Sequence, residues 1–193
     1  FSVAAKFERQ PAQLHDVLES SLRLIRAELK ESEIQAVRHS ADDLPLVFID
    51  TRKIQQVLIN LMINAIQAMD SSGKLTLTTA TGICSELFAP DFMHASLFKP
   101  DDSVVTLTLR DGGPGIAECD LPRIFDPFFT TKGAGGGNGL GLSVVKKIID
   151  LHDASIHFRN LPDHGLEVLL IFPCIPQTEL LESAIALTPP AAS

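Results

Sequence analysis

Residues 50–70, DTRKIQQVLINLMINAIQAMD, form the stretch that decides how the rest of the chain is interpreted. The apolar side chains recur at the i, i+3, i+4, i+7 spacing of a helix packed on a core, at Ile54, Val57, Leu58, Leu61, Met62, Ala65, Ile66 and Met69. At about 100° per residue, the polar side chains fall in one stripe. That stripe holds Lys53, Gln56, Asn60, Asn64 and Gln67. Because the helix is apolar on nearly every other side, we expect it to be buried.

Asn60 and Asn64 lie one turn apart in this stripe, and two interpretations of them are open. A buried amide without a hydrogen-bond partner costs about 1–3 kcal/mol, so both side chains need partners. The first interpretation is a pair of core amides that neighbouring backbone groups satisfy. The second is a pair of amides that bind a ligand or a metal ion. The helix alone favours the first, and the glycine motifs further along the chain shift the balance to the second.

Residues 111–116, DGGPGI, directly follow a strand predicted over residues 103–110. Glycines let a backbone turn sharply and approach a ligand without a Cβ in the way. A carboxylate at a strand end, such as Asp111, accepts a hydrogen bond from an exocyclic amine, for example that of adenine. The alternative is a plain turn, because Asp, Gly and Pro are ordinary turn residues. Taken alone, this segment favours the turn.

A second glycine-rich run, GAGGGNGLG, covers residues 133–141. It precedes a helix predicted over residues 140–151, whose free N–H groups and dipole make its N-terminus a phosphate site. Thr130, Thr131 and Lys132 add hydroxyl and ammonium donors just before the run. The spacing matches neither a P-loop nor the dinucleotide-binding fingerprint.

Residues 117–138 are predicted to form a mobile lid between the two glycine motifs. Phe125, Phe128 and Phe129 make an aromatic cluster at its centre. Ordering so many glycines has a large entropic cost. The segment is therefore either simply flexible or ordered by a ligand.

The composition excludes several classes of protein. A chain of 193 residues suits one sizeable domain, and a hydrophobic fraction of 45% argues against long disorder. The net charge of −8 argues against nucleic-acid binding. Three widely spaced cysteines predict reduced thiols and a cytoplasmic setting. There is neither an apolar run of membrane-spanning length nor a signal-peptide pattern in the sequence.

The remaining segments predict one domain over residues 11–174. Residues 1–10 are expected to end an upstream helix or linker, and residues 175–193 to be a tail or linker. Pro11 suits the first turn of a helix that runs to about Lys30. Short strands are predicted over residues 34–39, 46–49, 74–80, 103–110, 155–160 and 165–173.

Residues 81–102 form an insert between two predicted strands. A direct hairpin needs only two to five connecting residues, and this segment is far longer. Its apolar residues, which include Phe88, Phe92 and Phe98, argue against a solvated loop. We expect the insert to fold back on the domain or to dock on another partner.

The motifs occur in the order amide-bearing helix, D-x-G-x-G, Phe-rich segment, G-x-G at a helix start. Over about residues 12–173 this order resembles the catalytic ATP-binding domain of bacterial sensor histidine kinases, within the gyrase, heat-shock chaperone, histidine kinase and mismatch-repair ATPases. QVLINLMINAIQAM and RIFDPFFTTK are most similar to the nitrogen-regulatory and dicarboxylate-sensing subgroup. The fold to expect is Bergerat-type. It is an α/β (α+β) two-layer sandwich with a mixed, mainly antiparallel sheet of about five strands, covered on one face by three helices.

The resemblance implies roles for individual residues. Asn64 looks like the ligand of a Mg²⁺ ion that bridges the triphosphate, and Asn60 like the second amide of the N box. Asp111 matches the aspartate that reads adenine, and Phe125–Phe129 match the F box. The implied ATP-binding set is Asn60, Asn64, Gln67, Ala68, Asp111, Gly113, Gly115, Ile116, Phe125, Thr130, Thr131, Lys132, Gly137, Asn138, Gly139, Leu140, Gly141 and Leu142.

Asn60 also bears on the reaction that the resemblance implies. Hydrolytic members of the superfamily have a water-activating glutamate one turn before the metal-binding asparagine, and here that position is Asn60. An amide cannot act as a general base, so direct hydrolysis is expected to be slow. Phosphoryl transfer depends mainly on positioning and charge neutralisation. Asn60 and Lys132 are therefore the candidate catalytic residues, for transfer of the γ-phosphoryl group to a histidine.

The acceptor histidine of the family lies on a dimerisation hairpin upstream of this domain. His15-Asp16 is only a superficial match, because it lies inside the predicted first helix. We therefore expect the chain to be a monomeric fragment of a homodimeric protein. Its implied partners are its own upstream hairpin and a response regulator. The implied location is cytoplasmic, with a possible inner-membrane anchor elsewhere in the full-length protein.

Two positions depart from the family pattern, and two other functions remain open. Asp153-Ala154 follow His152 where the family often has two glycines, and Leu166 follows Gly165 where it often has a threonine that helps to hold adenine through water. The first alternative function is a non-catalytic nucleotide sensor. The second is an anti-sigma-type serine kinase of the same fold, which the Phe-rich segment disfavours.

Overall fold

The computed structural model describes residues 7–41, 43–70, 72–84, 98–131 and 138–175. The strands are β1 Gln10–Ala12, β2 Ile34–Ser40, β3 Val47–Ile49, β4 Gly73–Ile83, β5 Ser103–Arg110, β6 Ser155–Asn160 and β7 Leu166–Pro173. The helices are α1 Leu14–Leu24, α2 Arg26–Glu31, α3 Thr51–Ala68 and α4 Gly141–Asp150, with a 3₁₀ turn at Leu121–Arg123.

The main sheet has five strands in the order β2-β4-β5-β7-β6. Only the β2–β4 pair is parallel, and the other three pairs are antiparallel. Helices α1, α3 and α4 pack against one face through a continuous apolar core that includes Leu77, Leu107 and Leu170. Strands β1 and β3 form a separate two-stranded sheet. The predicted sandwich of a mixed sheet and three covering helices is confirmed.

Helix α3 begins where the sequence predicts. The Asp50 carboxylate accepts hydrogen bonds from the backbone N–H groups of Arg52 and Lys53, both at 3.1 Å, and thereby caps the helix. All eight of the predicted apolar positions are buried. The polar stripe is more open than expected, because Gln56 and Gln67 are exposed. The stripe is therefore not buried as the rest of the helix is, and two of its residues, Asn64 and Gln67, border a cavity.

The predicted helix from Pro11 to Lys30 is wrong at its start and near its end. Pro11 lies in β1, opposite Phe48 of β3, because this short edge strand tolerates a residue without an N–H donor. Helix α1 begins only at Leu14. It breaks at Ile25, which turns the chain and is itself buried, and α2 follows without a buried residue.

The described ends of the 81–102 insert fold back on the domain. Strand β4 continues to Ile83, three residues beyond its predicted end, and pairs there with Ser103. Cys84 and Phe98 then pack with Val104 and Ile171 in a small apolar cluster. Val104 and Val105 are adjacent on β5, so their side chains point to opposite faces of the sheet. Val105 belongs to the core under the helices, so this cluster lies on the other face of the sheet. The middle of the insert lies outside the described residues.

His152 joins the start of α3 to the end of α4. Its Nδ1–H donates to the Ile148 carbonyl at 2.6 Å, and its Nε2 accepts the backbone N–H of Asp50 at 2.9 Å. The edge of the Phe7 ring packs on the imidazole, with centroids 5.1 Å apart. The Glu8 N–H also donates to the Asp50 carboxylate at 3.1 Å. Residues 7–10 thus pack on the domain through this junction. No helix among the described residues has the length and apolarity needed to span a membrane.

Burial lowers the pKa of His152 below its ordinary value of 6.5. The Ile148 carbonyl opposes this effect by accepting the Nδ1 proton, and the nearby Arg9 guanidinium adds to it. The carboxylates of Asp50 and Asp153 act in the opposite direction to Arg9. Because the pKa is lowered on folding, the stability that neutral His152 contributes is complete above pH 6.5. It is lost as the pH falls from 6.5 through the lowered pKa.

Replacing His152 tests this junction. We expect His152→Gln to lower the free energy of unfolding by about 1–3 kcal/mol at pH 7.5, because at least one buried backbone group loses its partner. The difference in unfolding free energy between the variant and wild type should become smaller between pH 6.5 and 5. The reason is that the stability which neutral His152 gives the wild-type protein is lost in this range. Urea unfolding across this pH range measures both effects. The exposed His164, replaced in the same way, is the control, and an equal loss for the two variants would contradict the assignment.

Candidate functional site

A cavity of about 300 Å³ lies between α3, the start of α4 and the end of the sheet. This volume is at the lower end of the range for small-molecule sites. Most of the sequence-predicted binding residues line it, namely Asn64, Gln67, Ala68, Asp111, Gly115, Ile116, Thr130, Thr131, Asn138, Gly139, Gly141 and Leu142. Helix α3, both glycine motifs and the lid segment thus meet at one place.

Asp111 supplies a buried carboxylate to the wall of this cavity. The residue is only 5% exposed, and its Oδ1 accepts the N–H of Gly113 at 2.9 Å and that of Leu166 at 3.2 Å. Burial raises the pKa of this carboxyl above its ordinary value, and the two N–H donors partly offset that rise. Both contacts go to the same oxygen. The two donors therefore hold the carboxylate in one orientation.

The first glycine motif closes tightly around Asp111. A Cβ on Gly113 would lie 3.1 Å from both the Cβ and the carbonyl oxygen of Ala68, a tight contact, so glycine lets the loop approach α3 without displacing Ala68. Gly115 has φ +78°, in the region that favours glycine. Gly113 thus shapes the wall without lining the cavity, whereas Gly115 and Ile116 line it.

The amides of α3 do different things. Asn64 and Gln67 line the cavity, and Ala68 lies between them and the glycine loop. Asn60 does not line it. Its Nδ2 donates instead to the Gly141 carbonyl at 3.5 Å, and so links α3 to the first turn of α4. Of the two interpretations of these amides, the structure thus gives a backbone partner to Asn60 and places Asn64 at the cavity.

The start of α4 forms the opposite end of the cavity. The first turn of a helix leaves backbone N–H groups without intrahelical acceptors, and here that turn begins at Gly141. Leu140 caps the helix without lining the cavity, and its N–H donates to the Asn138 side chain at 3.2 Å. The helix N-terminus therefore presents N–H groups toward the cavity, as the sequence predicts.

Residues 117–131 and 138 of the predicted lid segment belong to the described part of the chain. Phe125 lies outside the cavity and packs edge-on against Phe158, with centroids 5.6 Å apart. Phe129 lines the cavity, and the Arg123 guanidinium stacks on its ring at 4.7 Å. The Phe128 N–H donates to the Gly139 carbonyl at 3.0 Å and so closes the base of the segment between them. Lys132 and Gly137 lie outside the described residues.

Sequence reasoning missed most of the apolar lining. The residues it did not select are Leu61, Ala65, Leu109, Ile124, Phe158, Leu166 and Val168. The periodicity marks such residues as inward-facing but does not separate a core contact from a ligand contact. Leu166 was recognised only as a departure from the family pattern, and its side chain here is one apolar wall of the cavity.

Comparison with known proteins identifies the family. A family model described as "Histidine kinase-, DNA gyrase B-, and HSP90-like ATPase" matches residues 49–176, which include every residue of the cavity lining. The chain belongs to this family. The family is one of ATPases, and membership in it implies ATP binding, as the sequence predicted.

Relatives and solved structures refine the assignment. The chain is 30% identical to the histidine-protein kinase AtoS of Escherichia coli K12, over 92% of this chain and 26% of AtoS. It is 32% identical to the sensory kinase/phosphatase NtrB of Klebsiella oxytoca, over 78% and 40%. The catalytic domain of histidine kinase ThkA matches with a TM-score of 0.70 and 27% identity, over 88% of this chain and 98% of that domain. The resemblance to histidine kinase ATP-binding domains, and the Bergerat fold, are confirmed. The chain spans well under half of these curated relatives.

The stability of Asp111→Asn tests the burial of the carboxylate. Because the pKa of Asp111 is raised on folding, its contribution to stability is complete below the ordinary value of 3.8 and is lost as the pH rises through the raised pKa. An asparagine keeps an oxygen for the two N–H donors and has no charge to desolvate. We therefore expect the nucleotide-free variant to be as stable as wild type or more stable at pH 7.5, by urea unfolding. The exposed Asp163→Asn is the control. A clearly less stable Asp111→Asn would mean that the charge itself holds the loop.

Proposed function

We propose that this chain is the ATP-binding catalytic domain of a sensor histidine kinase, which holds Mg-ATP and transfers its γ-phosphoryl group to a histidine on an upstream dimerisation hairpin. The observation that carries the proposal is the pairing of two unlike ends in one cavity. A buried, oriented carboxylate stands at one end, at Asp111, and the N-terminus of α4 stands at the other. The first suits a base with an exocyclic amine, and the second suits a phosphate chain.

Asp111 is proposed to read adenine. Its Oδ1 is occupied by two backbone donors, so Oδ2 is the oxygen that accepts from the exocyclic amine. Leu109, Phe158 and Val168 supply apolar surfaces for the faces of the base. Leu166 replaces the threonine contact of the family with another apolar contact. The base of this chain's nucleotide is therefore held mainly by one carboxylate and by packing.

Asn64 is proposed to hold Mg²⁺ near the phosphate end. Its side chain lines the cavity, and an amide carbonyl oxygen is a ligand of the kind that hard divalent cations prefer. When bound, the ion neutralises charge on the triphosphate. Thr130 and Thr131 line the same end, where hydroxyl groups can donate to phosphate oxygens. Lys132, Gly137 and Leu140 remain predictions of the sequence for this end of the site.

Asn60 is proposed to favour transfer over hydrolysis. Its Nδ2 bonds to the Gly141 carbonyl, so the side chain positions α4 rather than activating water. No carboxylate takes the place of a general base at this position. The reaction forms a bond between phosphorus and a histidine nitrogen and breaks the bond to the ADP oxygen. The domain's part is to hold the triphosphate in position for that nitrogen.

The proposed partners are the protein's own upstream hairpin and a response regulator. The histidine kinase ThkA is known in complex with the response regulator TrrA, and this chain matches that kinase with a TM-score of 0.66 and 26% identity. Residues 7–10, which pack on the junction at Asp50 and His152, are where the chain would continue toward the hairpin. A dimeric full-length protein in the cytoplasm or at the inner membrane is part of the same proposal.

Calorimetric titration with a non-hydrolysable ATP analogue tests the binding site. We expect magnesium-assisted binding by the wild-type chain. Asp111→Asn should weaken binding at least about tenfold, because an NH₂ group would then face the exocyclic amine of the base. Asn64→Ala should bind with the same affinity with and without Mg²⁺. Gln56→Ala, on the same helix stripe but outside the cavity, is the control. Equal magnesium dependence in Asn64→Ala and wild type would contradict the proposed role of Asn64.

A transfer assay separates the kinase from a non-catalytic nucleotide sensor. The chain is mixed with a separately supplied acceptor hairpin and radiolabelled ATP, and acid-labile phosphohistidine is measured. A kinase is expected to label the hairpin, and Asp111→Asn should reduce the labelling at ATP concentrations below saturation. Binding of the analogue without any labelling would favour the sensor. Acid-stable labelling of a serine would favour the anti-sigma-type serine kinase.

A further inference from the structure

We propose that Asn160 is a positioning residue of the nucleotide pocket, which holds the Gly115-Ile116 backbone against the cavity from the end of β6. The inference rests on the proposed function, because it assigns to Asn160 a part in holding the nucleotide. The sequence reasoning did not select this residue. Asn160 lies outside the cavity lining, whereas Gly115 and Ile116 are part of it.

The Asn160 amide bonds to both backbone polar groups of Ile116. Its Oδ1 accepts the Ile116 N–H at 2.8 Å, and its Nδ2 donates to the Ile116 carbonyl at 2.7 Å. The two residues are 44 positions apart in the chain. One planar amide thus takes the place of a backbone partner, since it offers an acceptor and a donor side by side as a neighbouring strand would.

The glycine loop depends on such an anchor. Residues 112–116 have no helix or strand conformation, so no regular backbone ladder holds them. Among the described residues, Gly113 is tied to the Asp111 carboxylate and Ile116 to Asn160. Gly115, between these two points, has φ +78°, and a Cβ on it would lie 2.5 Å from the Asn160 Oδ1. Glycine at position 115 therefore allows Asn160 to approach the loop this closely.

The placement of Asn160 follows from the strand that carries it. Phe158 and Asn160 are two residues apart on β6, so their side chains point to the same face of the sheet. Phe158 lines the cavity, and Asn160 continues that row beyond the cavity to the loop. The strand thus supplies an apolar wall to the base and a polar anchor to the backbone beside it.

An amide supplies both the acceptor and the donor that Ile116 needs at this position. Aspartate would keep the acceptor for the Ile116 N–H but place a second oxygen against the Ile116 carbonyl. Serine has a single oxygen on a shorter side chain, which cannot reach both groups. Alanine removes both bonds without adding charge. Asn160→Ala and Asn160→Asp therefore probe the same pair of contacts in two different ways.

Nucleotide affinity is the first test. We expect Asn160→Ala to weaken binding of the ATP analogue roughly three- to tenfold, the effect of about one net hydrogen bond. Adenosine, titrated by NMR, should lose the same factor because the loop borders the base and not the phosphates. In the transfer assay KM should rise while kcat stays unchanged. Asn160→Asp should bind no better than Asn160→Ala. The control Gln35→Ala truncates an exposed amide on β2, at the opposite edge of the sheet, and should bind as wild type does.

Hydrogen exchange of the Ile116 amide is the second test, and it needs no nucleotide. Asn160→Ala should speed exchange of this amide in the free protein, whereas Gln35→Ala should not. Unchanged exchange, or wild-type affinity in Asn160→Ala, would overturn the inference. A wild-type chain that fails to bind the analogue would count against the proposed function instead, and the exchange measurement would still decide whether Asn160 holds the loop.

Discussion

The buried carboxylate of Asp111 is the constraint around which the site is built. A charged group removed from water must be satisfied by donors, and here the donors are backbone N–H groups from two different parts of the chain. Leu166 pairs with Asp111 twice, since the Asp111 N–H also donates to the Leu166 carbonyl at 3.1 Å. The pairing of β5 with β7 therefore continues past the strand ends. It brings the hairpin of β6 and β7 to the first glycine motif.

The same constraint explains why the elements around Asp111 lie where they do. The glycine loop must fold back so that the Gly113 N–H reaches the carboxylate, and this brings Gly113 into close contact with Ala68 near the end of α3. Helix α3 in turn is held at its other end by the Asp50 cap and by His152. Asn64 lies between these two contacts along α3. Helix α3 thus connects the Asp111 end of the cavity to the end formed by α4.

The sequence predicted the elements whose signals are local. The extent of α3 followed closely from its periodicity, and β5 and β6 were predicted residue for residue. It failed at Pro11, because pairing of β1 with β3 is set by residues almost forty positions away and overrides a local helix-start signal. The sequence did not select Asn160 for the same reason, because an asparagine at a strand end is typical of a turn and its partner is distant in the chain. It did not select most of the apolar lining because core residues and pocket residues follow the same hydrophobic pattern.

The two ends of the cavity also differ in how they are held. The end at Asp111 is held by the sheet, by α3 and by side-chain hydrogen bonds, whereas at the α4 end a backbone hydrogen bond joins the described residues Phe128 and Gly139. Phe128 has φ +67°, which costs a residue with a Cβ roughly 1–2 kcal/mol, and the residue is 74% exposed. So exposed a side chain buries little apolar surface to offset that cost, and the bond to Gly139 helps to hold the residue. Because Gly139 itself has φ +65°, the base of the lid is closed by two left-handed residues. The α4 end of the cavity thus depends on a left-handed backbone that glycine tolerates better than phenylalanine, whereas the Asp111 end depends on buried side-chain hydrogen bonds.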